Sequence, residues 1–254
     1  MRGFLKKLRA SLFREKDSRA YFLYALGEIL LVVIGILIAI QISKWSDERK
    51  DRVEENKYYC RFLNDLQFDI IQLDRLTAEA QVQKDAGNSM LLELAMETRS
   101  KEAILAGYAL AFRSNTFVPN DATLREIISS GNLGLLEDEK LRDALLTFYS
   151  ELENLLRIDE RNYTILYNKF MAYDYWPEMG FYLIADMPSL FSDKEIASLK
   201  TVPWHEDENH PYFVKLQDAA FTAVVHGERK QQIINIMKEK MTPIIEVLEQ
   251  NCEE

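Results

Sequence analysis

The sequence predicts an all-α protein: one N-terminal transmembrane helix continuing into a stalk and an exported helical bundle. Three observations predict this. Glycine and proline are scarce, nine and six in 254 residues, which disfavours a turn-rich β fold. A single run of 22 residues near the N-terminus, YFLYALGEILLVVIGILIAIQI, carries one charge; as a helix it spans about 33 Å, the thickness of a bilayer core. Through most of the remainder, apolar residues recur at three- and four-residue spacing, the period of an amphipathic helix.

Four segments follow in order: a basic leader over residues 1–20, the transmembrane helix over 21–42, a juxtamembrane stalk helix over 43–87, and a helical bundle over 88–254 packed with the stalk. In the leader, Leu5, Leu8 and Leu12 stand at helical spacing among Lys6, Lys7 and Arg9. That pattern suits a short amphipathic helix on an anionic leaflet, and equally a plain orientation signal. Tyr21, Tyr24 and Trp45 flank the span as interfacial aromatics do. A cleaved signal peptide is disfavoured, because the run ends in IAIQISKW with no small-residue cleavage pattern. Seven Lys/Arg precede the span and five lie in residues 43–57. The larger basic count at the N-terminus predicts that this end stays in the cytoplasm and that residues 43–254 are exported.

Within the span, Glu28, Gly35 and Ala39 fall on one face, since steps of seven and eleven residues return to within about 20° on a helical wheel. Gly35 and Ala39 form a small-xxx-small pair that lets a second helix approach closely. A carboxyl at Glu28 is costly in an apolar run unless it is protonated, paired or reaching the interface. These three residues are the candidate site for packing against a second copy or another membrane protein; a lone anchor is the alternative.

Beyond Trp45 the stalk shows Tyr59, Leu63, Leu66, Ile70, Leu73, Thr77 and Ala80 as a 4-3 stripe, with Gly87-Asn88-Ser89 as the first expected break. Such a stripe suits packing within the chain better than a free dimeric coil. Thr123-x-x-Glu126 reads as a capping box, Gly131 as a left-handed helix stop, and Asp138 as the cap of a long helix carrying Leu141, Leu145, Phe148, Leu152 and Leu155. The final segment places Phe213, Leu216, Ala220, Val224, Ile234, Met237, Met241, Ile244 and Leu248 on one helix, kinked or restarted at Thr242-Pro243.

Clustered chemistry is sparse. Ser129-Ser130-Gly131 lacks the residues of a nucleophile elbow. His205 and His210 are five apart, so they diverge on a helix, and the zinc-protease spacing is not met. Asp65 and Asp69 are one turn apart and can share a face, the usual place of solvated carboxylates. Tyr163, Tyr167, Phe170, Tyr173, Tyr175, Trp176, Phe181 and Tyr182 crowd one stretch, either as core or as a ligand or partner surface. No cofactor or metal is expected. The two cysteines, Cys60 and Cys252, exclude a disulfide scaffold. An antiparallel return of the last helix would bring them together only if their Cα positions match.

The runs GEILLVVIGILIAIQISKWSDERKDR (27–52) and TFVPNDATLREIISSGNLGLLEDEKLRDALLTFY (116–149) resemble a domain-of-unknown-function family of bacterial proteins with one N-terminal transmembrane helix. The resemblance implies a membrane-anchored helical domain in the envelope of a Gram-negative bacterium and brings no catalytic residues. With a net charge of −10, nucleic acid is excluded as a general partner. The expected partners are the lipid bilayer and a second copy or another membrane protein. A non-enzymatic interaction or scaffold module is the leading expectation. A periplasmic small-molecule sensor acting through a partner is the alternative, and an enzyme with a dispersed site ranks below both.

Overall fold

A computed structural model of the chain describes residues 18–171, 176–184 and 187–252. Among the described residues there is no strand, so the fold class is all-α as the periodicity requires. The α-helices are α1 Ser18–Leu94, α2 Lys101–Ala111, α3 Ala122–Ser129, α4 Glu139–Phe170, α5 Trp176–Met179, α6 Asp193–Ser198 and α7 Pro211–Asn251, with short 3-10 turns between them. The leader residues 1–17, with their expected amphipathic helix, lie outside the described residues, as do Tyr173 and Tyr175.

The chain divides into two compact units, residues 1–55 and 56–254. The first unit contains the apolar part of α1. Of the helices described, α1 alone is long and apolar enough to cross a membrane, and its apolar window is wholly uncovered by protein.

The second unit is organised by α1, α4 and α7. Lys238 pairs with Asp74, Lys240 with Glu151, and Lys169 with Asp218. With the Lys84–Glu228 pair, these run α7 antiparallel to both α1 and α4, which makes α1 and α4 parallel. Parallel neighbours need a crossover, supplied by α2, α3 and the segment joining them. Each long helix turns a 3-4 stripe inward. On α1 it is Tyr59, Phe62, Leu66, Asp69, Leu73, Leu76, Ala80, Gln83, Gly87, Met90 and Leu94, all buried. The expected stripe therefore has the right first positions, but Phe62, Asp69 and Leu76 take the places assigned to Leu63, Ile70 and Thr77, which are only half-buried. The polar Asp69 and Gln83 hid the true register. On α7, Ala223 is buried where Val224 was expected, and the helix continues through Pro243 without a restart.

Gly87 does not break α1, which runs on to Leu94. The glycine is there for close approach. A Cβ at Gly87 would lie 2.8 Å from Val224 Cγ2 and 2.9 Å from the Ala220 carbonyl on α7. Gly227 on α7 meets α1 in the same way, 2.8 Å from the Ala80 carbonyl. Helix continuity is decided by this contact, which outweighs the propensity cost of one glycine.

The expected capping box at Thr123 and Glu126 is not formed. Asp121 is the N-cap of α3 without a side-chain bond, Thr123 is buried in the first turn, and Glu126 pairs with Arg61. The Thr123 N–H goes instead to the Asp65 carboxylate on α1, 3.3 Å away. A capping box does form at Ser192 and Glu195. Gly131 is left-handed (φ 75°) and stops α3 as expected. Asp138 caps α4 through bonds from the Lys140 and Leu141 N–H groups at 2.9 and 3.1 Å.

Two apolar cores result. One joins α1, α4 and α7 from Tyr58 to Leu248 and includes Phe62, Leu145 and Met237. The other joins the end of α1, α2 and the start of α7 with Trp204 and Phe181. From the aromatic-rich stretch, Phe170, Trp176 and Phe181 join that second core, while Tyr167 is exposed. Tyr108 stacks on Phe170 at 5.1 Å, Trp176 meets Phe170 edge-on at 4.9 Å, and Trp204 Nε1 donates to the Met179 carbonyl at 3.0 Å. Cys60 and Cys252 are joined by a disulfide, with Cα atoms 4.9 Å apart.

Candidate functional site

Glu28, Gly35 and Ala39 lie on the uncovered apolar part of α1, and all three are exposed. A Cβ built on Gly35 meets nothing within 4 Å.

Asp65 and Asp69 do share a face of α1, and it is turned toward Asn120 and Thr123 rather than being simply solvated. Asp69 is fully buried. The Asn120 N–H donates to its two carboxylate oxygens at 3.0 and 3.2 Å, and Gln72 Nε2 approaches at 3.4 Å. Burial pushes the Asp69 carboxyl up to about 6, the Asn120 bond opposes this, and the charges of Asp65 and Asp121 add to it. Desolvation and the same three aspartates push the Tyr149 phenol above its ordinary value, and its hydroxyl is buried without a hydrogen bond. The arrangement straps the crossover onto α1.

A second polar group of residues lies between the two apolar cores, where all three inward stripes turn polar at one level. Asp159 and Asn162 continue the α4 stripe, Gln83 the α1 stripe, and Gly227 and Lys230 the α7 stripe, with His226 beside them. Asp159, His226 and Lys230 are 6%, 6% and 4% exposed. Lys230 Nζ donates to Ser114 Oγ at 2.9 Å and to the Asn115 carbonyl. Gln83 Nε2 donates to the Ala111 carbonyl at 2.7 Å, which turns its Oε1 toward His226 Nδ1, 3.1 Å away. Nδ1 therefore carries the imidazole proton, and Nε2 is a bare acceptor. Asp159 Oδ1, Asn162 Nδ2 and His226 Nε2 have no hydrogen-bond partner. Burial lowers the His226 pKa to about 4, with Lys230 adding to the effect, while burial raises the Asp159 carboxyl and lowers the Lys230 ammonium.

Sequence reasoning missed this layer because each polar residue reads alone as an interruption. The signal was present: Gln83, Asp159 and Lys230 each continue a 3-4 stripe at a position that should be apolar. His210 has a different task, accepting the Tyr212 N–H at 3.1 Å as the cap of α7. Among the described residues no group of three or more His, Cys, Asp or Glu is placed to hold a metal ion.

An open groove of about 740 Å³ lies between α4 and α7, with Leu141, Phe148, Pro243 and Ile244 among its apolar lining and Glu151 and Lys240 on its rim. Compared with known proteins, residues 28–170 match the model of a family of unknown function. No curated protein and no solved structure matches the chain.

Proposed function

The chain belongs to the family of unknown function DUF6090, and we propose that it is a membrane-anchored, non-enzymatic interaction or scaffold module of the bacterial cell envelope. The apolar part of α1 anchors it in the inner membrane. The N-terminus is cytoplasmic, and the helical bundle from residue 56 onward is periplasmic. The observation that carries the reading is the uncovered face of Glu28, Gly35 and Ala39, which fits close packing against a helix of a second copy or of another membrane protein. Export is supported independently by the Cys60–Cys252 disulfide, a bond that persists in the periplasm and is rare in reducing cytoplasm. Nucleic acid is not a partner on this reading.

Gentle detergent extraction, with the mass of the complex and its companions determined, tests the proposal. A defined oligomer or stoichiometric companion that is lost in the Glu28→Leu, Gly35→Leu double variant supports it. A monomer without companions, or complexes indifferent to both substitutions, refutes it.

The groove between α4 and α7 favours a second reading, a periplasmic sensor signalling through a partner, since its volume lies in the range of small-molecule sites. Ligand-dependent protection of Phe148 and Ile244 from exchange or labelling distinguishes that reading from a purely structural bundle.

A further inference from the structure

We propose that the polar layer formed by Gln83, Ser114, Asn115, Asp159, His226 and Lys230 is an acid-responsive latch. Acidification releases α2 and the segment after it from α1 and α7, while the end of the bundle closed by the disulfide stays shut. The latch requires only residues of the second unit and holds whether or not the Glu28 face binds a partner.

The geometry supplies the latch. Two polar side chains fasten the C-terminal end of α2 and its continuation: Gln83 through the Ala111 carbonyl, and Lys230 through Ser114 Oγ and the Asn115 carbonyl. Both lie at the level where the apolar stripes of α1, α4 and α7 are interrupted; the Ala111 end is packed in the second core, and the Ser114–Asn115 end is held by Lys230. His226 shares this level and stands one turn before Lys230 on α7. Its Nδ1–H is committed to Gln83, and its Nε2 faces a buried environment with no acceptor. Adding a proton at Nε2 creates a buried N–H without a partner and a second cation beside Lys230.

The charges around the layer are few. On α7 they are Lys230, which acts directly on His226, and Glu228. On α4 there is Asp159, and on α1 Glu79, both of which draw on Lys230. Lys84 of α1 and Glu228 neutralise each other in an ion pair. Arg113, on the segment after α2, is exposed. Asp159, whose carboxyl is raised by burial, binds its proton more tightly in the closed layer than when free, a contribution that opposes opening and that the larger His226 shift outweighs.

The closed layer therefore prefers the neutral imidazole. His226 stands at about 4 in the closed layer against 6.5 when free; this group alone raises the open population about twentyfold between pH 7 and pH 5, and the raised Asp159 carboxyl takes back part of that gain. Opening exposes Ile104, Leu105 and Tyr108, which are fully buried in the second core. The first core lacks this response. Its buried titratable carboxyl, Asp69, is raised as that of Asp159 is, with no buried imidazole beside it among the described residues, and the Cys60–Cys252 bond ties α1 to the end of α7. Acid thus acts on one half of the bundle.

Amide hydrogen exchange on the full chain in detergent micelles, with the disulfide intact, tests this. With intrinsic rates corrected for pH, the amides of α2 should lose protection by as much as about twentyfold from pH 7 to pH 5. Those of residues 66–76 and 237–248 should keep theirs, and His226→Gln should remove the change in α2. Unchanged α2 protection, uniform loss along the chain, or the same loss in the variant overturns the proposal. Should His226→Gln fail to fold, the imidazole titration of the unsubstituted protein by NMR decides. A midpoint below 5 in the closed state supports the latch, and one at or above 6.5 overturns it.

Discussion

Replacing Gly227 by alanine tests the claim that α1 and α7 are held by backbone contact. The added Cβ would stand 2.8 Å from the Ala80 carbonyl oxygen and 2.6 Å from Lys84 Cγ. The second obstacle is a flexible side chain that can turn away. The first is backbone in the middle of a long helix, so α1 must move by about half an ångström to restore van der Waals distance. Overpacking of this kind costs about 1–3 kcal/mol, while alanine in place of glycine inside a helix returns about 1 kcal/mol. The difference is a net loss of up to about 2 kcal/mol. For a unit of this size that lowers the melting temperature by up to roughly 8 °C. The assay is thermal or denaturant unfolding of the full chain in detergent, followed by far-UV circular dichroism. Gly134→Ala is the control, because a Cβ there meets nothing within 4 Å, and it should leave stability nearly unchanged. Gly87→Ala combined with Gly227→Ala should cost less than the sum of the two, since one displacement of the helices relieves both clashes. A Gly227→Ala protein more stable than the parent would refute the close-approach account.

Further expectations concern the disulfide, a cap and a buried carboxyl. Cys60→Ser should cost about 5 kcal/mol if closure of the 192-residue separation acts through the entropy of the unfolded chain; unfolding free energies of oxidised and reduced protein differing by less than about 1 kcal/mol in denaturant titrations would reject that account. Asp138→Ala removes two bonds from the first turn of α4 and should destabilise by about 1 kcal/mol, measurable in the same unfolding assay. Asp69 carries a raised pKa of about 6 against an ordinary 3.8. The folded state therefore binds this proton more tightly than the unfolded chain, and the penalty for ionising it is present above pH 6 and disappears as the pH falls toward 3.8. Asp69→Asn keeps an acceptor for the Asn120 N–H and removes the charge. The variant should gain up to about 3 kcal/mol at pH 7 and nothing below pH 4. A variant less stable than the parent at pH 7 would show that the ionised carboxylate is needed to hold the crossover.

The helical class, the apolar run and the caps at Gly131 and Asp138 were legible in the sequence, because each rests on local chemistry: period, length, a left-handed glycine, a side-chain acceptor. So was the shared face of Glu28, Gly35 and Ala39, which needs only the pitch of one helix. Tertiary structure decided the rest. Gly87 looks like a stop until the Ala220 carbonyl is found against it, since a glycine that ends a helix and one that admits a neighbour are the same residue. The inward positions of α1 could not be assigned from Leu63 and Ile70 while Asp69 and Gln83 occupied the true stripe, because burial of a polar side chain depends on the donor that another segment brings to it. Thr123 and Glu126 have the right types for a capping box, yet the Asp65 carboxylate from α1 reaches the Thr123 amide and Arg61 takes Glu126. The pairing of Cys60 with Cys252 and the convergence of Asp159, His226 and Lys230 in one layer depend on three distant helices meeting at a fixed register, set by the packed cores on either side.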